Sequence, residues 1–277
     1  MRVIQSATDM IAFSTSCRSE GKSIGFVPTM GALHAGHSSL VDNALENNDI
    51  VVVSVFVNPT QFNDAADLEK YPRTFEQDKE LLEKLDVDVM FFPSVEEIYP
   101  SSDNPSYVLD GLDNLMEGPN RPGHFEGVVQ VVTRLFDLCL PHRAYFGEKD
   151  FQQLAIIRHM TRKLKYEVDV IGCPTVREDD GLAMSSRNVR LEAYARQVAP
   201  ALYQVLSSLR STIEDDGVEK ALSFAKTQLD VEEIELEYLE LVDSVTLQQA
   251  NDQTGAIQAC IAAWIGGVRL IDNLRVK

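Results

Sequence analysis

Cysteine is scarce in this 277-residue chain, and Cys17, Cys139, Cys173 and Cys260 are widely scattered with no CxxC pair among them. That spacing argues against a disulfide framework or a thiolate zinc site and predicts four ordinary core thiols in a reducing compartment. Long apolar runs are missing too. No stretch of eighteen apolar residues occurs, and the first residues, interrupted by Asp9, lack the apolar core of a signal peptide. A cytoplasmic protein without membrane contact is therefore expected. Basic residues are few beside acidic ones, 25 Lys and Arg against 43 Asp and Glu, giving a formal net charge of -18. Such a field repels polyanions, so nucleic acid is a poor partner, and an anionic ligand must meet a local basic pocket.

What the chain does have is alternation. Through about residue 175, short apolar runs (SIGFVPT, DIVVVSVFV, VDVMFFP, RAYFG, EVDVIG) are separated by amphipathic stretches (SSLVDNALENN, TFEQDKELLEKL, FEGVVQVVTRLFDLCL, FQQLAIIRHMTRKL). Strand and helix units of this kind build an α/β fold, a Rossmann-like parallel sheet with helices on both faces. After Pro174 the character changes. A polar stretch from Val176 to Arg187 leads to two expected helices, LEAYARQVAPALYQVLSSLRSTI and VEKALSFAKTQL, and then to IELEYLELVD, GAIQACIAAWI and GVRLIDNLRV. Those last three runs suggest a smaller antiparallel α+β domain. The expected domains are 1–175 and 176–277.

The stretch PTMGALHAGHSSL, from Pro28 to Leu40, holds two of the chain's five histidines, His34 and His37, among small residues. In a doubly wound sheet the loop after the first strand is the usual phosphate site, and a helix opening near His37 would offer unpaired backbone N–H groups to an anion. Three other readings stand beside this one. The spacing Gly31, Gly36, His37, Ser38 mimics a P-loop but lacks its lysine. HxxH can ligate a metal, though no Glu or Cys accompanies it. A Gly-rich turn can also carry histidines with no task.

HxGH after a first strand resembles the nucleotidylyl transferase superfamily. With FVNPTQF (Phe56 to Phe62), NRPGHFEGV (Asn120 to Val128), YFGEKDFQQL (Tyr145 to Leu154) and MSSRN (Met184 to Asn188) in order, the whole chain resembles the pantothenate synthetase family. That resemblance implies an ATP-dependent ligase: pantoate is adenylated with release of pyrophosphate, and β-alanine then displaces AMP. The chemistry is consistent with such a site, since a carboxylate needs a good leaving group before an amine can attack it, and the reactive anhydride must be kept from water.

The resemblance gives catalytic roles to His34, His37, Lys149 and Arg187. It places ATP against Met30, Gly31, Ala32, Leu33, His34, Ala35, Gly36 and His37, against Gly147, Glu148, Lys149 and Asp150, and against Val176, Met184, Ser185, Ser186 and Arg187. MSSR resembles a mobile loop that closes over the triphosphate, although a serine cap on a helix start would read the same. Lys149 alone could equally be a solvated partner of Glu148 or Asp150. Gln61 and Gln153 suit the hydroxyls and carboxylate of pantoate, with Asn58, Tyr71 and Arg121 as further substrate contacts; Asn58 and Pro59 also fit a plain turn. The family often shows adjacent acidic residues after YPRT, associated with Mg2+. Here the positions read Glu76, Gln77 and Asp78, leaving Asp78 as the metal candidate.

A nucleotidylyltransferase acting on a phosphorylated acceptor is the main rival, disfavoured by glutamines where Arg or Lys would be needed. A non-catalytic nucleotide-binding regulator should have lost one of His34, His37 or Lys149. An aminoacyl-tRNA synthetase would need a basic surface and usually a further domain. The resemblance also implies a homodimer.

Overall fold

A computed structural model describes residues 1–63, 65–100 and 106–277. The chain divides into two compact units. One comprises Met1–Asp110, Arg121–Glu148 and Gln153–Pro174; the other comprises Gly111–Asn120, Lys149–Gln152 and Thr175–Lys277. The last segment of the second unit thus opens at Thr175, one residue before the expected boundary. It also takes in two earlier segments, one of them carrying Lys149, so a single cut at 175 does not describe the division.

The elements run in the order β1 (Arg2–Ile4), α1 (Ala7–Ser19), β2 (Ile24–Thr29), α2 (Ala35–Asn47), β3 (Ile50–Val55), α3 (Ala65–Lys70), α4 (Phe75–Lys84), β4 (Val89–Phe91), α5 (Val95–Ile98), α6 (Glu117–Asn120), α7 (His124–Cys139), β5 (Arg143–Gly147), α8 (Phe151–Lys163) and β6 (Asp169–Cys173). There follow α9 (Ala193–Val198), α10 (Ala201–Asp216), α11 (Val218–Gln228), β7 (Ile234–Asp243), β8 (Ile257–Ile265) and β9 (Val268–Arg275).

In the first unit six strands form a parallel sheet ordered β1-β4-β3-β2-β5-β6. The β3 run VVVSV is buried throughout because both faces are covered. Val51, Val53 and Val55 pack with Leu40, Val41 and Ala44 of α2 and with Leu82 of α4. On the opposite face the Phe26 ring meets Phe136 of α7 edge-on at 6.4 Å. Each such fully buried side chain contributes roughly 1.5–3 kcal/mol. Three expectations need correction. The HxGH strand is the second, not the first, because Arg2–Ile4 forms an edge strand too short to show a period. Helix α1, with its weak apolar stripe, was not anticipated. The long stretch from Leu191 is two helices, α9 and α10, interrupted at Pro200, which has no N–H to continue the ladder.

In the second unit β7-β8-β9 form an antiparallel sheet. Ile257, Ala259, Ile261, Ala263 and Ile265, alternate residues of β8, join a core with Leu202, Leu206 and Leu209 of α10 and Ala221 and Ala225 of α11. The two-residue break Gly266–Gly267 has both residues at positive φ, as a tight hairpin requires.

Candidate active site

The order of the six-stranded sheet reverses between β2 and β5, and in such sheets ligands sit at the carboxyl ends on either side of that reversal. Pro28 widens the gap there. Phe56 N–H donates to the Thr29 carbonyl, so residue 29 faces β3 and its neighbour Pro28 turns its nitrogen toward β5. Without an N–H, Pro28 cannot extend that ladder. Pairing of β2 with β5 accordingly stops at Phe26 and Ala144, whereas β2 stays paired with β3 to Thr29 and β5 with β6 to Gly147.

Beyond Thr29 the chain makes a left-handed step at Gly31 (φ 80°) and Ala32 (φ 50°) before α2 begins. Helix α2 starts at Ala35, two residues earlier than expected, with His34 as its N-cap. The two histidines form a reciprocal capping box: Gly36 N–H donates to His34 Nδ1 (3.1 Å), and His34 N–H donates to His37 Nδ1 (3.3 Å). Their ring centroids lie 4.2 Å apart. An imidazole that accepts at Nδ1 carries its proton at Nε2. Both rings are therefore Nε2–H donors, held at the positive end of a helix with no acidic residue in its first turn.

This geometry corrects the expectation of unpaired backbone donors in the loop. The N–H groups of Gly31, Ala32, Leu33, His34, Gly36, His37 and Ser38 all have partners. Hydrogen bonds to an anion would come from imidazole.

Asp78, on α4, is 2 % exposed; its Oδ2 accepts from Ala32 N–H (3.0 Å) and Thr74 Oγ1 (3.2 Å), and its Oδ1 from Leu33 N–H (2.8 Å). Those bonds hold the left-handed step in place, and a side chain at Gly31 would meet Asp78 Oδ2 at 2.9 Å. Among the described residues no cluster of three or more His, Cys, Asp or Glu could hold a metal. The bonds around Asp78 are those of loop support, since both of its oxygens accept main-chain N–H groups.

The expected substrate residues divide by what already occupies them. Asn58 is 1 % exposed and caps a single 3-10 turn, Pro59–Gln61; it donates to Gln61 Oε1 and the Gly127 carbonyl and accepts from Tyr99 Oη. The plain-turn reading of Asn58 and Pro59 is thus also true. Gln61 Nε2 points at Met30 Sδ (3.0 Å), beneath the HxGH loop. Tyr71 packs edge-on against Phe62 at 5.7 Å and is buried. Arg121 lies just before α7, where its carbonyl accepts from His124 N–H. Gln153, half-buried on α8, has no side-chain hydrogen bond among the described residues. Glu148 is exposed beside Gly147 at the end of β5.

In the second unit Lys149 occupies a 3-10 turn, Glu148–Asp150, and its Nζ lies 3.6 Å from Asp150 Oδ1. Its main chain is fastened by Asn273, whose Nδ2 donates to the Lys149 carbonyl (2.6 Å). The next residue but two, Gln152, is buried and structural: it accepts from Glu117 N–H and donates to the carbonyls of Leu112 and Leu115. Met184 N–H donates to the Val176 carbonyl, Ser185 Oγ accepts from Arg187 N–H, and a 3-10 turn, Asn188–Arg190, follows. Ser185 thus closes a local turn, whereas the N-cap of the 3-10 turn is Arg187, which makes no side-chain capping bond, so MSSR does not form the serine-capped helix start that its sequence allowed. Ser186 and Arg187 are half-buried in this segment. The sequence reading missed Arg177, which forks onto Asp272 (2.7 and 2.9 Å), lies 4.0 Å over the Tyr203 ring and donates to the Gly181 carbonyl, bracing the start of the segment. A part-buried ion network of Glu117, Arg269 and Glu237, with Tyr238 Oη donating to Glu117, was missed as well. Alternation in β9 gave a signal, since Asp272 and Asn273 interrupt an apolar strand.

An open depression of about 590 Å³ in the first unit, beside Arg2–Ser6, Asp9, Phe75 and Lys79, contains none of the motif residues.

Comparison with known proteins bears on the whole chain. A family model described as pantoate-beta-alanine ligase matches residues 2–275. A pantothenate synthetase of Bacteroides fragilis is 50 % identical over 280 residues, covering 100 % of this chain and 99 % of that one. The crystal structure of pantothenate synthetase from Thermus thermophilus superposes with a TM-score of 0.93 at 44 % identity, covering 100 % and 99 % of the two chains. That of pantoate-beta-alanine ligase from Francisella tularensis, complexed with beta-gamma ATP and beta-alanine, gives 0.83 at 36 % identity, covering 99 % and 97 %.

Proposed function

We propose, from the premise that this chain belongs to the pantoate-beta-alanine ligase family, that it condenses (R)-pantoate with β-alanine through a pantoyl adenylate. In the first step a pantoate carboxylate oxygen attacks the α-phosphorus of ATP and the bond to pyrophosphate breaks. In the second, the neutral amine of β-alanine attacks the acyl carbon, AMP leaves with the electron pair, and the amine loses a proton. The observation that carries this reading is the paired capping of His34 and His37, which commits both Nδ1 atoms to the main chain and makes both Nε2–H groups donors for charge that grows on phosphate oxygens. A rigid N-terminal turn keeps those donors aimed without reorganisation. Lys149 and Arg187 are the phosphate-neutralising cations, with Gly147, Asp150, Ser185 and Ser186 around the nucleotide. Gln61 and Gln153 receive pantoate. Magnesium enters with ATP, and no step is assigned to it.

Support for ATP and β-alanine comes from the Francisella tularensis relative, which was solved with both compounds. Among the described residues no helix is long and apolar enough to cross a membrane. A homodimer in the cytoplasm completes the reading; light scattering should give twice the 30.9 kDa of the chain. The deciding experiment is pyrophosphate exchange into ATP. Exchange is expected with pantoate alone and not with β-alanine alone. Exchange that needs both substrates together would rule out a free-standing adenylation step, and AMP transfer to a phosphorylated acceptor would favour a nucleotidylyltransferase.

A further inference from the structure

We propose that Asn273, on the last strand of the second unit, is a positioning residue for Lys149; the inference rests on the phosphate-neutralising role given to that lysine. Asn273 is 6 % exposed, and a buried amide is tolerated only when each of its groups is paired. The pairing fixes its orientation. The Lys149 carbonyl can only accept, so the group facing it at 2.6 Å is the NH2; Oδ1 then accepts from Gln258 Nε2 at 2.7 Å. Gln258 and Asn273 are diagonal neighbours on one face of the β8-β9 ladder, where Cys260 stands opposite Asn273. The main chain of Asn273 is held in turn: its N–H donates to Asp272 Oδ1 (2.7 Å) and its carbonyl accepts from Arg177 Nη2 (3.2 Å).

Lys149 gives little guidance to its own placement. Its ammonium lies 3.6 Å from Asp150, and a four-carbon stem swings freely unless its root is fixed. The bond from Asn273 fixes that root by anchoring the peptide that follows Lys149 Cα. A shift of about 1 Å in a catalytic group costs up to roughly a hundredfold in rate.

The test is a double-mutant cycle on pantoate-dependent pyrophosphate exchange, with folded protein verified by circular dichroism. Asn273→Ala should lower kcat by roughly ten- to a hundredfold, with KM for pantoate within about twofold of the parent. In a Lys149→Ala background the same change should cost less than about twofold, because the group it places is gone. Losses that multiply would show that Asn273 supports the fold at large and would overturn the inference, as would full activity of Asn273→Ala. Should Asn273→Ala not fold, Gln258→Met, which removes the donor that holds Asn273 Oδ1 and so loosens the amide, should show the same direction and the same non-additivity; unchanged kcat in that variant would overturn the inference. Full activity of Lys149→Ala by itself removes the role of the lysine, a different failure that the cycle separates from the first.

Discussion

The HxGH loop and the Lys149 turn solve one problem in opposite ways. In the loop, the side chains proposed to meet phosphate hold the backbone that carries them: His34 and His37 cap each other three residues apart, with Asp78 bonding the loop from α4. In the turn, the side chain proposed to neutralise phosphate ends 3.6 Å from Asp150, and the backbone is fastened from 124 residues away by Asn273. The first arrangement couples chemistry to stability. On the proposed roles the second keeps them apart, since the group assigned the chemistry and the group assigned its placement are different residues.

Breaking the comparison at its centre should give the largest effects. His37→Ala removes an Nε2–H donor and a helix cap together, so single-turnover adenylation should fall by roughly 10²–10³-fold, and urea unfolding should show about 0.5–2 kcal/mol of lost stability. Lys149→Ala should slow adenylation by at least about a hundredfold while leaving stability within about 0.5 kcal/mol of the parent. Equal stability losses in the two variants would erase the contrast.

A second pair sharpens it at the supports. Asp78→Ala strands the N–H groups of Ala32 and Leu33 in a buried site and should cost about 2–4 kcal/mol in urea unfolding, with adenylation lost alongside. Arg177→Lys keeps the charge but gives up the two-pronged bond to Asp272 and the stacking on Tyr203, and should cost about 1–3 kcal/mol. Its kinetic effect should reach both ATP saturation and kcat, because the segment it braces carries Ser185 to Arg187 and its Nη2 also holds the Asn273 carbonyl. An Asp78 variant that is stable and slow would instead make that carboxylate part of the chemistry.

The smallest effect expected is a pH slope, and it belongs to the first unit. His142 has its pKa lowered from 6.5 by partial burial and by Arg18 and Arg143 nearby, and its Nδ1 accepts from Ile24 N–H at 2.9 Å. A depressed folded pKa means the unfolded chain takes up the proton first as pH falls. The contribution of His142 is therefore complete above 6.5 and declines below it. Thermal midpoints measured between about pH 7 and pH 5 should drift down, and His142→Gln should flatten that drift.

Sequence alone determined whatever depends on neighbours a few residues apart. Alternating apolar runs announced the parallel sheet because a strand buried on both faces must be apolar throughout. The small residues of GALHAGH announced a tight strand-to-helix connection, and Gly266–Gly267 the last hairpin. Motif order was enough to identify the family. Tertiary structure decided whatever depends on residues far apart in the chain. It showed that Asp78 supports a loop, that Gln152 is a structural amide beside the half-buried Gln153, and that Lys149 lies in the second unit. It also turned Arg177, Asp272 and Asn273 from unremarked polar residues into braces. The physical reason is the same in each case. Periodicity and capping are local and leave a pattern in the sequence, whereas the partner of a buried polar group is chosen by the packing of distant segments, and nothing in the spacing of Lys149 and Asn273 records that they meet.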